Sequence, residues 1–322
     1  MGMPITVEVV DPGVTEADIA NVFAYFRTVD ETFSTYKEHS EISKINRGEL
    51  RADEYSDDMK TIFALSEQTR QETQGYFDIR HNGVTDPSGI IKGWAILQAA
   101  TMLKAAGFMH FYIDAGGDIQ VAGNKGGNPW RIGIRNPFNR TEIVKVLSIT
   151  DKGIATSGTA IRGQHIYDPH NPPRERPHPH NPHRGRPLAP IHTANAASAT
   201  LKCEPETPLR ATASQSSGSI RSASASHSSS VKGERSPPHF HTSPAPTDIV
   251  RQHITDIVSL TVVGPNVYEA DRFATAAFAM GKKGIYFIEQ LPGFEGYMID
   301  ASARATFTSG FERYVLQHDN TH

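Results

Sequence analysis

The sequence predicts an α+β protein: one domain of mixed or antiparallel sheets flanked by helices, split late in the chain by a long interruption. Three observations predict it. Apolar residues recur at helical spacing in three early segments, short aliphatic and aromatic runs then follow in a block, and residues 171–248 abandon both patterns. Helices and strands come in unequal blocks and not in strict alternation, which argues against a doubly wound parallel sheet.

The amino terminus through Val9 reads as a strand. It does not read as a signal peptide, because it lacks a basic region followed by an apolar one. Thr15 caps a first helix, with Asp18 placed for the reciprocal bond, and Ile19, Val22, Phe23, Phe26, Val29 and Phe33 form its apolar face. A second helix starts near Asp57 with Met59, Ile62, Phe63 and Leu65 inward and Gly75 near its end. A third runs from about Ser88 to Gly107 and buries Ile91, Trp94, Ala95, Met102 and Leu103. Strands are expected at 109–114, 118–122, 130–135, 143–149 and 254–263, then a helix over 268–280. Residues 285–289, 296–300 and 312–316 read as closing strands.

Residues 171–248 hold about 13 of the 21 prolines and 7 of the 15 histidines, and Phe240 is their sole aromatic. One short duplication, Pro-His-Asn-Pro at 169–172 and again at 179–182, falls far below the period of a repeat fold. Such a segment buries too little to offset the entropy of ordering, so it is expected to be disordered. The domain therefore divides as 1–170 and 249–322 around an insertion at 171–248. An insertion at an exposed loop costs only a slowly growing closure entropy.

Charge and cysteine count exclude whole classes. The net charge is -3, and the insertion contributes about +4, which leaves the folded part near -7. Nucleic-acid binding, which calls for clustered Lys and Arg, is not expected. Cys203 is the only cysteine, so neither a disulfide nor a cysteine-based metal site forms within one chain. No apolar run approaches the ~18 residues of a membrane span, and the chain reads as soluble and cytoplasmic. The seven histidines of the insertion follow no metal-ligand spacing.

Three stations carry chemistry. Asp86-Pro87-Ser88-Gly89-Ile90-Ile91-Lys92-Gly93 is a turn feeding a helix, whose free N–H groups can face an anion with Lys92 one turn in. Alone it reads as an ordinary helix start, and its spacing is not that of a P-loop. Asp114-Ala115-Gly116-Gly117-Asp118 lets a backbone approach a ligand closely, although a hairpin turn explains it as well. The third station combines Gly153 to Gly158 and His165-Ile166-Tyr167-Asp168-Pro169 with Asp271 and Thr275. The last two stand four apart on one helix face and offer hard oxygens suited to Mg²⁺. The plain alternative is a first-turn carboxylate and a hydroxyl bonded back to its own helix.

Order along the chain is what singles these motifs out. Ser34-Thr35-Tyr36, Ser40-Glu41-Ile42-Ser43-Lys44-Ile45-Asn46, Gly75-Tyr76-Phe77-Asp78, Gly89-Ile90-Ile91-Lys92-Gly93, Gly116-Gly117-Asp118, Ala155-Thr156-Ser157-Gly158, His165-x-x-Asp168-Pro169 and Ala270-Asp271-x-x-Ala274-Thr275 follow one another. In that order the chain resembles the FAD:protein FMN transferases, the ApbE-type flavin transferases, over all but the insertion. The resemblance implies a T-fold-like flavin-transferase domain that binds FAD and Mg²⁺. It implies transfer of FMN to a threonine of an acceptor flavoprotein, with release of AMP. Carried over residue by residue, it implies Asp271, Thr275 and the carbonyl of Ile91 as metal ligands, and Tyr36, Lys92, Gly116, Gly117, Asp118, Thr156, Ser157 and His165 as cofactor contacts. Asp271 and His165 are then the catalytic candidates. His165 either accepts the proton of the incoming hydroxyl or hydrogen-bonds phosphate.

The chain departs from the family pattern in three places. Asp78-Ile79-Arg80 stands where Asp-Pro-Thr is usual, Thr159-Ala160 where Asp-Tyr is usual, and the insertion follows the His-x-x-Asp-Pro motif. Two other activities fit the same residues: a metal-dependent FAD pyrophosphatase yielding FMN and AMP, and an FAD-binding protein without catalysis.

Overall fold

A computed structural model describes residues 3–81, 83–139, 141–159, 166, 168–170 and 256–316. A seven-stranded sheet organises them, in the order β1-β4-β5-β8-β9-β10-β11, with every neighbouring pair antiparallel. Its strands are β1 (Ile5–Val9), β4 (Phe111–Ala115), β5 (Asp118–Ala122), β8 (Gly153–Gly158), β9 (Ile257–Gly264), β10 (Glu295–Asp300) and β11 (Ala305–Phe307). Strands β5 and β10 are buried along their whole length, because both faces of the sheet are covered. Such strands lose the apolar–polar alternation of a half-exposed strand.

One face carries helices α1 (Glu16–Phe33), α3 (Asp57–Glu72), α4 (Ser88–Ala105) and α5 (Val267–Ala279), all expected from spacing. Thr15 and Asp18 form the anticipated capping box of α1, and Ser56 caps α3 by accepting from the Met59 N–H. Helix α4 has apolar residues all round, as a helix held between the sheet and other helices does. The other face is covered by a hairpin of β6 (Trp130–Arg135) and β7 (Ile143–Ile149). There Trp130, Ile132, Leu147 and Ile149 meet Ile119, Val121, Tyr297 and Phe311.

Two expected strands are not strands. Residues 285–289 belong to a short helix, α6 (Gly284–Glu289), where Ile285 and Ile288 pack inward at a three-residue step and Tyr286 faces solvent. A short apolar run does not distinguish helix from strand by periodicity, and here the backbone of Gly284 is pressed against that of Ala277 in α5. Residues 312–316 begin within a 3₁₀ turn, Phe311–Tyr314, and only Val315 bridges to Leu147.

Several elements have no counterpart in the sequence reading: α2 (Glu41–Asn46), the small hairpin of β2 (Arg80–His81) and β3 (Val84–Thr85), β8 in the middle of the sheet and β11 at its edge. The insertion at 171–248 lies outside the described residues. No described helix is long and apolar enough to cross a membrane.

Candidate active site

The site forms where α4 and α5 cross. Contact there is so close that a Cβ on Gly93 would stand 2.7 Å from the Asp271 Cβ and 2.9 Å from the Val267 carbonyl oxygen. Only glycine allows that approach. It brings Asp271 Oδ2 within 2.8 Å of the Gly93 N–H, which donates to it. One turn along α5, Thr275 Oγ1 comes 3.5 Å from the Gly89 carbonyl oxygen and 3.4 Å from Ser157 Oγ on β8. The helical spacing thus sets both oxygens against the first two turns of α4, Asp271 at Gly93 and Thr275 at Gly89.

The sheet supplies a second carboxylate. Asp118, the first residue of β5, is buried, and its Oδ1 accepts from the Thr156 N–H at 3.1 Å. Lys92 Nζ lies 2.5 Å from its Oδ2. The Asp118 and Asp271 carboxyls also meet each other, and Asp271 is pushed up to about 8, first by desolvation and then by the neighbouring Asp118 charge. Lys92 and the Gly93 N–H offset this only in part. Lys92 therefore serves a buried acid pair within the protein, where the sequence alone placed it towards an anion.

Beside these carboxyls stand the Thr275 and Ser157 hydroxyls and the Gly89 carbonyl, all hard oxygens. No three His, Cys, Asp or Glu side chains cluster as metal ligands among the described residues. A cation here would rest on carboxylate, hydroxyl and carbonyl oxygens, completed by water or phosphate, which is how Mg²⁺ is usually held. The acid pair and its oxygens fit that ion. Ile91 shares the α4 turn with its side chain in the core. The carbonyl that Thr275 approaches is that of Gly89, two residues earlier.

The two helix starts at the site differ. Asn266 caps α5 by accepting from the Glu269 N–H, and Gln120 Oε1 accepts from the Val267 N–H at 2.9 Å. Pro87 offers α4 no side-chain cap, and Asp86 holds only the Ser88 N–H. The α4 start is thus the more open to an anion. Asn46 fixes its approach by exchanging two hydrogen bonds with the backbone of Thr85, at 2.8 and 2.9 Å.

Gly116 and Gly117, with φ of +64° and +98°, form the two-residue turn of the β4–β5 hairpin, and Asp114 accepts from the Gly117 N–H. Both glycines adopt the left-handed backbone that a type I′ turn requires. The hairpin reading accounts for them, and their turn leads directly into Asp118. Tyr36 lies in the loop after α1, 96% exposed. Thr156 Oγ1 bonds with Thr261 Oγ1 on β9 at 2.9 Å. His165 lies outside the described residues.

Sequence reasoning missed the Lys92–Asp118 pair, the Gly89 carbonyl and the Asn46 clamp. Asn46 had a signal, since it ends a quoted motif. The others depend on which strand lies beside which helix. A groove of about 410 Å³ near Glu8, Tyr112, Lys125, Trp130 and Arg131 contains none of the candidate residues.

Fold and site together define a class: an α+β protein in which two crossing helices and a sheet hold a buried, acidic oxygen site. The chain belongs to the ApbE family, whose family model matches residues 1–86 and 81–213. It is similar to the FAD:protein FMN transferase of Vibrio cholerae, with 34% identity over 94 residues, 26% of this chain and 28% of that protein. A Rhodobacter capsulatus protein of the same name is 36% identical over 92 residues, 26% of this chain and 18% of that one. These alignments span under a third of either relative's length.

Solved structures extend the likeness of fold over nearly the whole chain. The flavin transferase ApbE from Vibrio cholerae has a TM-score of 0.62 at 18% identity, covering 98% of this chain and 96% of that one. The ApbE protein of Thermotoga maritima has a TM-score of 0.61 at 16% identity, covering 96% and 94%.

Proposed function

We propose that the protein transfers the FMN half of FAD to a threonine hydroxyl of an acceptor protein, with Mg²⁺ as cofactor and AMP as the second product. One observation carries this reading. Asp271 and Thr275 face the first two turns of α4 beside a second buried carboxyl, Asp118, a set of hard oxygens suited to a cation. The names of the family's relatives support the flavin substrate.

Bound Mg²⁺ supplies neutralisation of the diphosphate charge, which phosphoryl-type transfer needs more than covalent help. Asp271 and Thr275, with the Ile91 carbonyl, are the residues that would hold it. Lys92 balances Asp118, so that the two buried carboxyls together call for one further cation. The open start of α4 turns its N–H groups to phosphate, and the Gly116–Gly117 turn admits the dinucleotide close to the backbone. Thr156 and Ser157, successive residues of β8 in the middle of the sheet, are further polar contacts, and Tyr36 packs on the flavin. His165 accepts the proton of the acceptor hydroxyl. That oxygen bonds to the FMN phosphorus, the bond from this phosphorus to the AMP oxygen breaks, and AMP departs with the electron pair.

The test is to incubate the full chain with FAD, Mg²⁺ and a co-expressed acceptor, followed by mass spectrometry. FMN added to a threonine is the expected result. Free FMN and AMP alone would assign a pyrophosphatase, and binding without turnover a flavin-binding protein.

A further inference from the structure

Arg272 follows Asp271 on α5 and is buried, yet the chemistry proposed above leaves it unused. A guanidinium removed from water needs every one of its donors placed. Arg272 Nε donates to Glu269 Oε2 at 2.8 Å, and its NH2 group lies 2.6 Å from the same oxygen. Its NH1 group reaches across to α3, where it pairs with Glu72 and donates to Thr69 Oγ1 at 3.3 Å. The plane lies over the Phe273 ring at 4.0 Å, with the Tyr268 ring at 5.5 Å.

The α3 end that Arg272 grips leads to the far wall of the site. Thr73 Oγ1 donates to the Thr69 carbonyl at 2.7 Å and accepts from the Phe77 N–H at 3.1 Å. Phe77 and the Thr275 methyl then meet over Gly89, where a Cβ would come within 3.2 Å of the ring and 3.3 Å of the methyl. One side chain thus joins the turn bearing Asp271 to the loop that sets Phe77 against Thr275. Replacing the whole ionic cluster by hydrocarbon of similar volume would often cost little stability, so the forked geometry is what the arginine adds.

We propose that Arg272 is a positioning residue. By locking the last turn of α3 to the second turn of α5, it couples the placement of Asp271 to that of the Phe77 wall, and so sets cation affinity and flavin placement together. This inference rests on the transfer reading.

The experiment compares the full-length wild type with Arg272→Met, Arg272→Lys and Glu72→Gln. It measures Mn²⁺ binding by the paramagnetic resonance of the free ion, thermal midpoints, and FMN transfer as kcat and KM for FAD. In Arg272→Met, the half-saturating Mn²⁺ concentration is expected to rise about tenfold or more, as it does when residues that orient metal ligands are lost. KM for FAD rises alongside. Arg272→Lys recovers part of the cation affinity, and Glu72→Gln shifts it in the same direction by about threefold, since Glu269 remains. A purely structural residue would lower the thermal midpoint and leave Mn²⁺ affinity and KM unmoved, and that result overturns the proposal. Should Arg272→Met not fold, wild-type Mn²⁺ affinity in Glu72→Gln overturns it equally. A wild type that neither binds Mn²⁺ nor transfers FMN removes the underlying reading instead, an outcome distinct from any variant effect.

Discussion

Asp271 and Arg272 are neighbours on α5, both buried, and folding has treated them in opposite ways. Around Arg272 the charges are settled. Burial pushes the Glu72 carboxyl up, but hydrogen bonds from Arg272 and Gln68 outweigh it, and the group sits below its ordinary value. Around Asp271 they are not settled. Desolvation and the Asp118 charge raise it to about 8 despite Lys92. Glu72 keeps part of its surface in water beside a five-donor guanidinium, whereas Asp271 shares a dry site with a second acid. One helix turn thus carries a completed ionic lock and, beside it, a carboxyl that burial and a neighbouring acid push towards its protonated form. Marginal stability seldom tolerates such a cost unless function uses it.

The sharpest break of that contrast is Asp271→Asn. Transfer should fall by about a thousandfold or more, the loss of several kcal/mol of charge stabilisation, while the metal-free protein remains folded. Thermal unfolding near pH 8 should show the metal-free variant at least as stable as the wild type, because the acid pair is gone. A clear loss of stability would show that the pair is already satisfied.

Lys92→Met strips the cation from Asp118 and should destabilise the metal-free protein by about 3 kcal/mol, as breaking a buried pair does. Added Mg²⁺ should restore part of the loss, a rescue that denaturant unfolding would read directly.

Titration gives a subtler measure. Asp271 is raised in the folded state, so its stabilising contribution is complete below its unfolded value of 3.8 and is lost as pH rises through about 8. The thermal midpoint of the metal-free protein should carry a downward term across that window. Saturating Mg²⁺ should flatten it, because the ion replaces the proton. Mg²⁺ affinity should correspondingly strengthen towards pH 8.

Tyr36→Ala should have the smallest effect on the fold, within about 0.5 kcal/mol, since the ring is exposed. Its consequence should appear in flavin binding, as an approximately tenfold rise in the Kd for FAD by fluorescence titration. An unchanged Kd would remove Tyr36 from the cofactor contacts.

Much of this architecture is legible in the residues alone. The apolar steps of α1, α3 and α4, the Thr15–Asp18 box and the i, i+4 pairing of Asp271 with Thr275 are local facts, and local geometry decides them. Residues 285–289 are ambiguous from sequence because four apolar residues suit either period, and their helix depends on the backbone of Gly284 meeting Ala277. Strand β8 is legible as a motif and not as a strand, since glycine, threonine and serine hide the alternation that burial on both faces would in any case erase.

The chain by itself determined which residues can be ligands and on which helix face they stand, because rise and turn per residue depend on nothing distant. Tertiary structure alone decided that Asp118 would meet Asp271 across 153 positions, that Lys92 would turn to that pair, and that Arg272 would reach α3. Those juxtapositions follow from sheet order and from the glycine that lets α4 and α5 touch. Burial beside a second acid then turns an ordinary aspartate into one that holds its proton to about pH 8.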